Sequence, residues 1–86
     1  MRTISIDVSE LPPPEPMREI LARASVLSAG DLLHVVHRRE PKPLYEALAA
    51  TGFAYRQEWT EGRVDIWIWR VGDAVAAAAA EAAEAP

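Results

Sequence analysis

Eighty-six residues, half of them apolar, leave room for one small core and no second domain. The sequence contains no cysteine, which excludes disulfides, thiolate metal sites, persulfide chemistry and thiol nucleophiles together, so stability rests on packing. The formal net charge is −4, yet Asp73, Glu81 and Glu84 fall in a C-terminal stretch without a base, and the nearly neutral remainder lacks the basic stripe that a nucleic-acid partner requires.

The stretch "TISIDV" alternates, setting Ile4, Ile6 and Val8 on one face of a strand and Thr3, Ser5 and Asp7 on the other. "SELPPPEP" follows, with four prolines in five positions, and leads into a helix. Proline fixes φ and suits the first helical turn, where its missing N–H would be unpaired anyway. Met17, Ile20, Leu21, Ala24 and Leu27 form the helix's apolar stripe, and "SAGD" supplies a glycine for its C-terminal turn. "LLHVVH" reads as a central strand, apolar on both faces.

"REPKPLYEALAATGF" repeats the device, with Pro41 and Pro43 leading into a helix that buries Leu44, Ala47 and Leu48 and stops at Gly52. "FAYRQEWT" and "VDIWIWRV", joined by "EGR", form a β-hairpin. The order βαβαββ predicts an α+β two-layer sandwich, with two helices on one face of a four-stranded mixed sheet, over residues 1–72. Residues 73–86, almost wholly alanine and glutamate, are expected to be a frayed or disordered tail. A helix this short is marginal alone in water, and alanine offers little bulk for docking. The alanine run is too short and too weakly apolar to span a bilayer, and "MRTISIDV" has no signal-peptide apolar region, so a cytoplasmic protein is expected.

With the elements in order, "IDVSELPPPEPMREIL", "LSAGDLLHVV" and "REPKPLYEALAATGF" together resemble the TusA-like (SirA-like) sulfur-carrier superfamily over residues 4–71, and more closely an uncharacterised cysteine-less bacterial branch of it. The resemblance implies two helices over a mixed four-stranded sheet. Sulfur carriers hold a persulfide on the cysteine of a Cys-Pro-x-Pro box at a helix N-terminus, where unpaired N–H groups and the dipole favour a thiolate. Here Pro14, Glu15 and Pro16 match the Pro-x-Pro part, and the cysteine position is Pro13. Persulfide transfer by these residues is therefore excluded, and the box keeps its structural role.

The residues left with chemistry are few. Glu15 is either a carboxylate presented to a partner or a favourable charge on a helix's first turn. His34 and His37, three apart on a strand, point to opposite faces and cannot share an ion unless the strand ends before His37, so no metal site is expected, with His37 as the residue of the alternative reading. Arg38, Arg39 and Lys42 before the second helix are candidate anion ligands, with Glu40 offsetting part of their charge. No phosphate loop and no Ser-His-Asp set is expected.

The last strand carries Val64, Ile66 and Ile68 alternating with Asp65, Trp67 and Trp69, so either the isoleucines or the tryptophans meet the helices. If the isoleucines do, Trp67 and Trp69 form an apolar patch on the open sheet face, a surface suited to a protein partner or to self-association. The resulting expectation is a non-enzymatic binding or adaptor domain without a cofactor, acting through Trp67, Trp69 or the proline turn at Glu15. The alternative is a ligand- or metal-binding accessory domain in redox or sulfur metabolism, using His37 and the Arg38/Arg39 loop. Neither reading involves nucleic acid or a membrane.

Overall fold

A computed structural model describes residues 2–85; Met1 and Pro86, the outermost residues of the two expected segments, lie outside the described residues. The elements are β1 (Thr3–Asp7), α1 (Glu15–Ser25), β2 (Leu32–His37), α2 (Lys42–Ala50), β3 (Phe53–Thr60), β4 (Arg63–Arg70) and α3 (Ala74–Ala82). The sheet order is β1-β2-β4-β3, with β1 and β2 parallel and the other pairs antiparallel. This is the expected α+β arrangement, extended by a third helix.

Register settles the two faces. Ile4 lies beside Leu33, Leu33 beside Ile68 and Ile68 beside Tyr55, while Ile6, Val35 and Ile66 form the next row. These rows make one core with Ile20 and Ala24 of α1 and Leu44 and Leu48 of α2. The isoleucines of β4 thus meet α1 and α2, and Trp67 and Trp69 stand on the opposite face. Arg70 closes the seam at the end of α1, donating from Nε to Leu27 O at 3.1 Å and from Nη2 to Ser25 O at 2.9 Å. The Ser25 carbonyl is one that a helix end leaves unpaired, and Leu27 lies just past the C-cap. Gly52 follows α2 at φ +88°, a conformation that side-chain-bearing residues rarely adopt.

The expected frayed tail is corrected by α3. Asp73 caps it, accepting from Ala76 N at 3.1 Å and, through its other oxygen, from Gly30 N at 2.6 Å. Those amides hold the Asp73 carboxyl below the usual carboxylate range, with the Gly30 bond the larger cause. Ala76 and Ala80 are fully buried, and Ala80 packs with Leu32 and Trp67. Alanine's small side chain lets the helix approach a bulky indole closely, so tertiary packing supplies what an isolated helix lacks.

Candidate functional site

Because β1 and β2 are parallel, their carboxyl ends, and the starts of both α1 and α2, lie at the same end of the sheet. The two proline turns meet there and enclose a cavity of about 520 Å³. Six of the seven prolines line it, namely Pro12, Pro13, Pro14, Pro16, Pro41 and Pro43, together with the apolar Leu11, Met17 and Leu44. Ser9, Glu10, His37, Arg38, Arg39 and Glu40 supply its polar boundary. Crevices beyond the carboxyl ends of parallel strands are the usual binding places of α/β sheets, since loops there are carried by rigid elements.

His37 is the one polar side chain of that boundary built into the fold. It is 9% exposed, and its Nδ1 accepts from the backbone amides of Arg38 at 2.9 Å and Arg39 at 3.2 Å. An imidazole accepting at Nδ1 carries its proton on Nε2. Burial, and then the nearby charge of Arg39, push the His37 pKa below its ordinary value, which keeps the ring neutral. Among the described residues Nε2 has no hydrogen-bond partner, yet no fully buried side-chain polar atom is left unpaired, so Nε2–H opens onto free space. His37 lines the cavity and also a more open polar cleft shared with Asp7, Ser9, Gly62 and Arg63.

The basic trio separates. Arg38 bridges the two loops through Glu10, Nη2 to Oε1 at 2.9 Å. Arg39 lines the cavity, and no carboxylate pairs with it among the described residues. Lys42 is exposed and does not line the cavity. Glu15, half-exposed, lies 3.7 Å from Arg18 one turn along its own helix and also stays outside the cavity.

The tryptophan patch is corrected too. Its face is the one expected, opposite α1 and α2, but α3 covers it: Trp67 is 2% exposed and Trp69 is partly buried. The two histidines do lie on opposite faces, as the period of two requires. Among the described residues, no three His, Asp or Glu side chains converge.

The structure also assembles a set that the sequence reading did not foresee. Ser5 Oγ lies 3.1 Å from His34 Nδ1, and His34 Nε2 lies 2.7 Å from Asp65 Oδ2. Arg63 donates to both oxygens of Asp65 at 2.8 Å and, as the largest cause, holds this fully buried carboxyl below its usual range. His34 stacks on Trp67 at 5.2 Å. Ser5, His34 and Asp65 sit in neighbouring strands and line neither cavity, Arg63 alone reaching the polar cleft, so the set serves to neutralise a buried charge. The alternation along β1, β2 and β4 would have placed Ser5, His34 and Asp65 on one face once the strand order was known.

No curated protein and no solved structure matches the chain. One family does, described as an uncharacterized conserved protein, DUF2249, and it matches residues 5–70, which take in the end of β1, the other three strands, both helices of the core and both proline turns. The chain therefore belongs to the DUF2249 family.

Proposed function

We propose that this is a non-enzymatic binding domain whose site is the cavity between the two proline turns, and that it takes a small molecule with an apolar body and one anionic group. It keeps the scaffold and proline box that resemble the TusA-like sulfur carriers, with ligand binding in place of sulfur transfer. The observation that supports this is His37, which lines the cavity and whose backbone bonds fix a neutral ring with its Nε2–H free. Arg39 adds an uncommitted positive charge, and the N-termini of α1 and α2 add partial ones. The volume falls within the range of about 300–1,000 Å³ typical of small-molecule pockets.

Thermal denaturation with benzoate and octanoate, compared with benzamide and octanol, tests the reading. Saturation at a hundred times the dissociation constant stabilises a fold by about 2.7 kcal/mol. The carboxylates should raise the melting temperature, their neutral counterparts should not, and Arg39→Ala should reduce the effect. Equal shifts from acid and neutral compounds, or none from either, would refute the anionic ligand.

A further inference from the structure

The sheet has two outer strands, β1 and β3. On β3 the ladder fixes which backbone groups are used. Val71 N donates to Gly52 O at 3.0 Å, and hydrogen-bonded pairs alternate with non-bonded ones along an antiparallel ladder. Ala54, Arg56, Glu58 and Thr60 therefore bond inward to their partners Trp69, Trp67, Asp65 and Arg63. The amides and carbonyls of Phe53, Tyr55, Gln57 and Trp59 point away from the sheet, and among the described residues none has a backbone partner there.

Soluble proteins ordinarily protect such an edge by shortening, bulging or covering it, or with proline and lysine. β3 shows no such interruption: its eight residues pair continuously with β4 and include neither proline nor lysine. β1 is shorter, five residues, and ends where Asp7 turns back to accept from Ser9 N. Tyr55 and Trp59 on β3 are 38% and 47% exposed.

We propose that β3 is a self-association edge, on which two copies of the chain pair antiparallel about a two-fold axis at Gln57 and join their sheets into one. A two-fold pairing must set outward-facing residues opposite outward-facing residues. Near the strand centre, registers centred on Arg56, Gln57 or Glu58 meet that condition. The first sets Arg56 against Arg56 of the second copy and the last sets Glu58 against Glu58, like charges directly opposite. The register centred on Gln57 instead sets Arg56 against Glu58 of the second copy on one face, twice by symmetry. On the other face it sets Tyr55 against Trp59, also twice. Tyr55 already stacks on Tyr45 at 4.3 Å, so the aromatic row would run on across the junction. Arg56 and Glu58, with side chains 34% and 42% exposed, already pair within the chain at 3.3 Å, and the junction would extend that pair into a row of alternating charges.

Sedimentation velocity over a concentration series, with circular dichroism on each protein, tests this. The intact chain should double in mass as concentration rises. Gln57→Pro removes an outward amide and two exposed side-chain bonds, to Tyr45 and Glu40, but no bond of the β3–β4 ladder, and should stay monomeric with an unchanged spectrum. Glu58→Arg and Arg56→Glu should each be monomeric alone, and an equimolar mixture should recover the doubled mass, because only the mixed pair sets opposite charges together. Because the sequence has no cysteine, Gln57→Cys gives a second measurement if Arg56→Glu disturbs the fold. Its symmetry mate would lie about 5.5 Å away between Cα atoms, within disulfide reach. It should crosslink under oxidation, whereas Thr60→Cys, far from its own mate, should not. A chain monomeric up to about 1 mM, dimerisation indifferent to Gln57→Pro, or equal crosslinking at positions 57 and 60 would overturn the proposal.

Discussion

The guanidinium of Arg56 lies 4.6 Å from the ring of Trp67, and its Nη1 donates to the carbonyls of Ala80 and Ala83, at 3.0 Å each. A cation on the sheet thus stacks on the indole that α3 covers and also meets the carbonyl end of that helix, where the dipole favours positive charge.

Removing residues 73–86 should uncover Trp67 without dismantling the strands. Tryptophan emission should shift to the red, and stability should fall by about 2 kcal/mol, the scale for exposing one large apolar side chain. Unchanged emission would show that α3 does not occupy this face in solution.

Trp67→Thr discriminates a packed tryptophan from a surface anchor. With Trp67 buried against Leu32 and Ala80, the substitution should cost about 3–5 kcal/mol, a large share of a small domain's stability, read as a lowered urea midpoint. Trp69→Thr, at a partly buried position, should cost less. Equal, negligible costs at both positions would restore the open-face reading.

Acidification should weaken the fold through His37. Its folded pKa lies below its ordinary 6.5, so the unfolded chain takes up the proton first. The stabilisation from a neutral His37 is complete above pH 6.5 and is lost as pH falls from there through the lower folded value. Melting temperatures between pH 8 and 5 should therefore drop more for the native chain than for His37→Asn, which keeps an acceptor for the two loop amides. Parallel curves would refute the assignment.

Asp65→Ala should leave the buried Nε2–H of His34 without an acceptor, at a cost of about 1.5–3 kcal/mol. Since the Asp65 pKa is held below its ordinary 3.8, its contribution is present above that value and disappears as pH falls through the folded one. Denaturant midpoints between pH 5 and 2.5 should converge for the native and Asp65→Ala proteins; a constant gap would show that the loss is one of packing alone.

Pro13→Cys should place a thiol in the cavity wall beside the start of α1. Incubation with a cysteine desulfurase should add sulfur mass to that variant and none to the native chain, which has no thiol. Sulfur gained by the native chain would contradict the reading of the box as structural.

The strands and the first two helices were legible because their burial is periodic: Ile4 and Ile6 at a spacing of two, Leu44 and Leu48 at a spacing of four. Even the meeting of the proline turns follows once β1 and β2 are known to be parallel. α3 was not legible, because its buried stripe is alanine and its docking depends on Trp67, a residue local in space and distant in sequence. The choice between tryptophan and isoleucine faces was open for the same reason, since both sides of β4 are apolar and a helix outside the recognised pattern covers one of them. His37 was visible as a lone histidine, but its neutral tautomer depends on how the following loop folds back onto Nδ1.

The concentration of prolines around the cavity has a thermodynamic corollary. Each pyrrolidine ring has already restricted its stretch of backbone before any guest arrives. A molecule entering between Pro12, Pro16, Pro41 and Pro43 would meet walls with little conformational freedom left to surrender. Its affinity would then be set by fit and desolvation, and calorimetry should register a small entropic penalty from ordering of the host.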